Sequence, residues 1–268
     1  MADEFISSFD GTKLFFNCET GPDDKAVVVI VHGLCEHQGR YEYFAKKLHA
    51  AGYGTYRFDH RGHGKSEGEC AYLGDFNELL DDTNVVIDRA IAENPTRPVF
   101  VYGHSMGGFT VALWSAKYPG KRVAGVICNG GLTFDKGGFL DPSLSSVDPH
   151  TQLPNQLGDG VCSVQEVKDW YLEDPLNRKS FAAGLAQQLK KGIDWFAGAI
   201  DAYAYPTLIT HGEFDGLISY EDSLCLFAGV RSTDKQLKIY GRSFHETINE
   251  FCRDEVIADY LHWMDRRL

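Results

Sequence analysis

Wholly apolar runs and amphipathic runs alternate along most of this chain. Ala26–Val31 is apolar at every position, as expected of a strand buried on both faces, and it ends in His32-Gly33-Leu34. Tyr53–Phe58, 98–102 and 123–128 read as further strands. Between them the spacing turns helical. Tyr41, Phe44 and Leu48 share one face of 41–51, which stops at Gly52, and 76–93 is a long amphipathic stretch closed by Asn94-Pro95. Residues 4–20 read as two short strands around the Asp10-Gly11 turn, the second over 13–18.

The rhythm breaks from Gly130 to about Tyr205, where glycines and prolines (Gly137-Gly138, Pro142, Pro149, Pro154) lead into helical candidates at 164–172, 181–189 and 193–200. That is too long for an ordinary connection, so it reads as an insertion over one edge of the sheet. The strand–loop alternation then returns, with strands at 207–210 and 236–240, a helix at 220–227 and a closing helix at 248–264. Such alternation implies an α/β fold, a mostly parallel sheet with helices on both faces. The expected organisation is one discontinuous core, 1–130 and 206–268, with an inserted cap over 131–205.

A parallel sheet collects its functional groups at the C-terminal ends of its strands. His32-Gly33 and Asp59 fall there, and so does Gly103-His104-Ser105-Met106-Gly107, which is G-x-S-x-G in the order strand, sharp turn, helix. A serine needs a base to remove its proton, and the base needs a third group to fix its tautomer. In this topology the order along the chain is serine, acid, histidine. Downstream of the insertion, Asp215 and His245 each follow a strand on the rim that carries Ser105. The rivals are worse placed: Glu213 is too close to its strand, Asp222 lies in a helix pattern, and Asp201 precedes its strand. His211 flanks the strand before the acid, and His262 is in the last helix. Oxyanion donors are expected from the backbone N–H groups of Met106 and Leu34.

Charge and cysteine content narrow the alternatives. With 26 basic and 38 acidic residues the net charge is −12, which argues against nucleic acid and a standing hold on anionic membrane. No apolar run approaches the ~18 residues that span a bilayer, and the acidic start MADEFISSFDG lacks the features of a signal peptide, so a cytoplasmic protein is expected. The seven cysteines are scattered, odd in number and without C-x-x-C, which points to reduced thiols. No cofactor and no metal are expected. GHGKS at 62–66 fails as a phosphate loop because Asp59 stands where a glycine is needed. Asp59, His60 and His63 read as hydrogen-bonding groups of a tight loop.

Together HGLCEHQGRYEYFAKKL (32–48), DHRGHGKSEG (59–68), GHSMGG (103–108), YLEDPL (171–176), HGEFDGLIS (211–219) and FHETINE (244–250) resemble the α/β-hydrolases, and among them the monoacylglycerol lipase/lysophospholipase-like branch. The resemblance implies a carboxylester hydrolase with Ser105 as nucleophile, Asp215 as acid, His245 as base, oxyanion donors at Leu34 and Met106, and an acyl-chain pocket under the cap. The chain departs from the pattern at Gly216-Leu217-Ile218 and throughout 131–163. Candidate substrate contacts are Glu36 and His37 beside the oxyanion loop, with Phe134, Trp170, Tyr171 and Leu217. The expected substrate is a monoacylglycerol or a similar short- or medium-acyl ester. Acyl transfer, amide or peptide hydrolysis, and non-catalytic binding of a small molecule are the alternatives. Oligomeric state is left open.

Overall fold

In the computed structural model, which describes residues 4–158 and 160–268, the apolar runs lie side by side at the centre of one sheet. In chain order the strands are β1 (Glu4–Ser7), β2 (Lys13–Glu19), β3 (Ala26–Val31), β4 (Tyr53–Phe58), β5 (Val99–His104), β6 (Gly125–Asn129), β7 (Gln152–Pro154), β8 (Ser180–Ala182), β9 (Thr207–Gly212) and β10 (Lys235–Tyr240). The helices are α1 (Glu42–Ala50), α2 (Asn77–Glu93), α3 (Met106–Lys117), α4 (Gln165–Glu173), α5 (Ala183–Ala199), α6 (Glu221–Gly229) and α7 (Arg253–Asp265). The sheet runs β1-β2-β4-β3-β5-β6-β9-β10, antiparallel at β1–β2 and β2–β4 and parallel from β4 to β10.

Every residue of β3, β4, β5, β6 and β9 is buried. Alternate side chains feed two cores. Val27, Val29 and Val31 pack with α2, α3 and α6, while Val28 and Ile30 pack with Phe44 and Leu48 of α1 and with Val256 and Tyr260 of α7. Edge strand β10 is half-exposed. From β3 the chain moves outward to β4, then crosses back through α2 to place β5 on the other side of β3. That reversal leaves a crevice at the C-terminal ends of β3 and β5, where such sheets place their ligand sites.

Three local expectations change. The helical candidates 181–189 and 193–200 are one helix, α5, which runs straight through Gly192. A Cβ there would come within 2.4 Å of Phe109 Cζ, so the glycine is the point of close helix–helix packing, not a break. The ribbon of β7 and β8 was not anticipated; its strands are three residues each and β7 ends in Pro154, too short to show alternation. The closing helix is shorter than 248–264: a 3-10 turn at Thr247–Asn249 precedes α7. Between them the buried Glu250 is taken up by tertiary bonds, accepting from the N–H of Ser163 at 2.7 Å and from that of Phe244 at 3.3 Å.

One buried carboxylate ties the start of the 131–205 segment to the sheet. Asp222 in α6 accepts the N–H groups of Thr133, Phe134 and Asp135 on Oδ2, at 2.9, 2.8 and 2.9 Å, and that of Lys136 on Oδ1 at 2.8 Å. Asp222→Ala would leave four donors without their acceptor, each worth about 1–3 kcal/mol if wholly unsatisfied. With water reaching some of them, urea denaturation should show a loss of about 3 kcal/mol, and Asp222→Asn should lose less.

Candidate active site

β5 delivers its last residue, His104, into the crevice, and Ser105 follows with φ 56° and ψ −117° before α3 begins at Met106. A non-glycine residue at positive φ is strained by about 1–3 kcal/mol and must be held by its surroundings. The hold is backbone against backbone. A Cβ on Gly103 would lie 2.2 Å from the Gly107 carbonyl oxygen, and one on Gly107 would lie 2.1 Å from that of Val31. Only glycine fits at either position. His104 lines the cavity beside His245, ring centroids 4.6 Å apart, and its Nδ1 accepts a hydrogen bond from Asn129 Nδ2 at 2.8 Å. Burial first, then the neighbouring His245, bring its pKa down to about 4.

Asp215 lies three residues beyond β9 and His245 five beyond β10, and the two meet. His245 Nδ1 donates to Asp215 Oδ2 at 2.6 Å, while Asp215 Oδ1 accepts the N–H groups of Leu217 and Ile218, both at 2.9 Å. Burial pushes the Asp215 carboxyl up, but the charge of His245 and the hydrogen bonds of His211 and His245 overturn it, holding the group far below the usual carboxylate range. For His245 burial pulls the other way, disfavouring the cation, yet the Asp215 charge and hydrogen bond, with Glu246 and Glu36 beyond, leave it above the ordinary histidine value. Its Nε2 is buried and has no hydrogen-bond partner among the described residues.

His245 lines a narrow cavity, open to solvent, whose wall also includes Gly33, Leu34, Ser105 and Met106. As the first residue of α3, Met106 has an N–H with no intrahelical acceptor. Leu34, Phe139, Leu157, Leu189 and Leu217 belong both to this wall and to an adjoining apolar cleft of about 760 Å³. The other end of the cavity is polar. Arg40 donates to Glu36 at 2.6 Å and in a two-pronged pair to Glu246 at 2.9 Å on each prong, with its guanidinium 4.9 Å from the Tyr171 ring. Glu36 also accepts from the Gly33 N–H at 2.5 Å and the Tyr41 hydroxyl at 2.6 Å, so it braces the loop that carries Leu34. Burial would raise the Glu36 carboxyl, but Arg40 above all brings it below its ordinary value.

The structure thus brings Ser105, His245, Leu34, Met106, Glu36, Tyr171 and Leu217 around one cavity, with Asp215 behind His245. Three expected substrate contacts lie elsewhere. His37 is bonded to Asp174 at 2.8 Å and, with Trp170, lines a separate groove on the far side of Arg40. Trp170 is 64% exposed because helical phase turns it away when its neighbour Tyr171 faces inward. Phe134 packs on Phe196, ring centroids 6.1 Å apart. His211, set aside as flanking the strand before the acid, lies against that acid. β9 extends to Gly212, two residues past the expected end, and the loop then folds back to set Asp215 Oδ2 2.9 Å from His211 Nε2. Asp59 accepts the N–H groups of Gln38 and Lys65 at 2.8 and 2.9 Å. Among the described residues no group of three or more His, Cys, Asp or Glu side chains could hold a metal ion. No helix there is long and apolar enough to cross a membrane.

A doubly wound sheet with a serine on a strained strand–helix turn at its switch point defines an α/β-hydrolase, and this one is a serine carboxylesterase-like hydrolase. The family model Hydrolase_4, described as "Serine aminopeptidase, S33", matches residues 22–251, and the chain belongs to that family. It is 35% identical over 253 residues to the monoacylglycerol lipase of Mycolicibacterium smegmatis, covering 90% of this chain and 89% of that protein. It is 30% identical over 255 residues to the monoglyceride lipase of Homo sapiens, covering 91% and 83%. Among solved structures, the monoacylglycerol lipase of Paleococcus ferrophilus matches with a TM-score of 0.82 at 26% identity, over 95% of this chain and 99% of that one.

Arg40 is the sole cation between two buried carboxylates in this network, and removing one partner of a buried ion pair strands the others without compensation. Arg40→Leu should therefore cost about 3–5 kcal/mol in chemical denaturation. Lys190→Ala, which breaks an exposed pair with Asp194, should cost no more than about 0.5 kcal/mol.

Proposed function

We propose that this protein hydrolyses monoacylglycerols or similar short- or medium-acyl esters through an acyl-enzyme on Ser105. His245 takes the Ser105 proton as the hydroxyl attacks the ester carbonyl, and the Leu34 and Met106 N–H groups receive the developing oxyanion. His245 then protonates the leaving alcohol. In the second half it activates water, which attacks the acyl-enzyme and frees the acid. Asp215 orients His245 and balances its charge in both halves.

The observation that carries this reading is the division of labour on His245. One ring nitrogen is bound to Asp215, the other is buried and has no hydrogen-bond partner among the described residues, and His245 and Ser105 line the same cavity. For the substrate, the cavity offers an apolar side leading into the cleft at Phe139, Leu157 and Leu189 for the acyl chain, and a polar end at Arg40, Glu36 and Glu246 for the alcohol. Residues 131–205 act as a cap over a core of 1–130 and 206–268; they supply Leu132, Phe139, Leu157, Val161, Tyr171 and Leu189 to the wall. The named activities of the two relatives support the same ester class.

The family's description as an aminopeptidase raises a second reading, amide hydrolysis by the same groups. A pocket for a substrate's N-terminal ammonium needs a carboxylate to spare. Glu36 and Glu246 face the cavity but are both held by Arg40, which favours the ester.

Ser105→Ala should lower p-nitrophenyl butyrate turnover by at least about a thousandfold and abolish labelling by a fluorophosphonate. Undiminished turnover in that variant rules the mechanism out. Rates across mono-, di- and triacylglycerols and aminoacyl amides should be highest for the monoacylglycerols, and a preference for amides would give the peptidase reading. His245 serves as a base only when neutral, and its pKa is raised, so kcat/KM should fall on acidification with a midpoint above about 6.5. A rate that does not fall on acidification contradicts the assignment of His245.

A further inference from the structure

His211 has no step in the chemistry above, yet it is fully buried against the acid. Its Nε2 is 2.9 Å from Asp215 Oδ2 and 3.0 Å from the Ile218 carbonyl oxygen, and its Nδ1 is 2.7 Å from Ser223 Oγ. Both neighbours of Nε2 are acceptors, so that nitrogen carries a proton whatever the state of Nδ1. The carboxylate thus accepts the N–H groups of Leu217 and Ile218 on Oδ1 and the ring of His245 on Oδ2, and His211 Nε2, whose N–H is directed to the Ile218 carbonyl, stands 2.9 Å from the same Oδ2.

These donors are not equivalent. Leu217 and Ile218 ride on the loop that carries Asp215, so they move with it and fix nothing relative to the sheet. His245 is on another loop and is the group that has to be oriented. Only His211 belongs to a strand of the parallel sheet, where it pairs with Ile239 of β10 one residue beyond the last β6–β9 pair. The same Nε2 reaches the Ile218 carbonyl, so it also draws the far end of the 215–218 turn onto β9, while Ser223 of α6 sets the ring's own orientation.

We propose that His211 is a positioning residue, anchoring the Asp215 carboxylate to the rigid end of β9 in the rotamer that His245 requires. This rests on the assignment of Ser105, His245 and Asp215 made above. Without the anchor the carboxylate shares its loop's motion, and its bond to His245 Nδ1 lengthens on average. Misplacement of about 1 Å in a catalytic group costs up to a hundredfold in rate.

The test compares His211→Leu, which removes the donor, with His211→Gln, whose amide Nε2 offers N–H at the same place and whose carbonyl can accept from Ser223. In His211→Leu, kcat on p-nitrophenyl butyrate should fall by about tenfold to a hundredfold with KM within about twofold. The acid limb of the kcat/KM profile should move to lower pH, as His245 loses part of the hold that raises it. His211→Gln should restore the limb and bring kcat to within about threefold of wild type. Ser223→Ala should move the limb the same way by less.

A limb that stays in place or moves up in His211→Leu, with kcat tracking only the folded fraction seen by circular dichroism, overturns the proposal. So does a glutamine variant no better than leucine. A readout without turnover separates this failure from failure of the mechanism itself. In Ser105→Ala protein the low-field NMR resonance of the His245 Nδ1 proton should shift upfield on adding His211→Leu and hold on adding His211→Gln. An unmoved resonance in the leucine variant removes the positioning role even if Ser105 proves to be the nucleophile.

Discussion

Three stretches of backbone approach one another almost to contact where β3 ends, β5 ends and α3 begins, and the rest of the structure is arranged to permit it. The Val31 carbonyl stands where a Cβ on Gly107 would be, and a Cβ on Gly33 would come within 3.1 Å of Ser105 Cβ. Because nothing larger than hydrogen separates these segments, the loop carrying Leu34 and the first turn of α3 open onto the same few ångströms. Leu34, Ser105 and Met106, from distant parts of the sequence, thereby line one cavity. The wholly buried strands on either side supply the rigidity, since a flexible sheet would let the strained turn relax.

Electrostatics of the cavity is organised around His245, which has carboxylates on two sides. Asp215 binds it directly, while Glu246, its neighbour in sequence, turns away to Arg40 and joins Glu36 there. Both arrangements serve the same geometry. The Asp215 bond fixes the ring, and the Arg40 network fixes the loop that carries Leu34 through the Gly33 N–H. Carboxylates as deeply buried as Glu36 and Glu246, each 5% exposed in the side chain, are tolerable only because each is matched by cation and hydrogen bond together.

The central strands were legible because burial on both faces writes an unbroken apolar run, as in Ala26–Val31. Ser105, Asp215 and His245 could be picked out because topology dictates where along the chain such groups must stand. What could not be read depended on contacts between remote segments. Gly192 looks like a break until Phe109 is seen against it, and Glu250 interrupts the last helix only because Ser163 and Phe244 compete for its carboxylate. Trp170 and Tyr171 are adjacent aromatics of which one faces the cavity and the other solvent, a matter of helical phase fixed by packing. His211 was set aside because it flanks the strand before the acid; that a loop folds back to bring 215 against 211 has no signature in periodicity. Within 131–205, where glycine and proline recur through the first half, patterns of period 2 or 3.6 had little to act on.

The Arg40 network has a further consequence once products are considered. An ester arrives uncharged, but the acid released from it is an anion, formed within reach of Asp215, Glu36 and Glu246 and facing a single guanidinium already committed to two of them. The chain as a whole, at −12, repeats that imbalance on a larger scale. Such a cavity holds the neutral reactant by its apolar wall and repels the ionised product. For the hydrolysis proposed above, ionisation of the acid therefore disfavours its retention in the cavity.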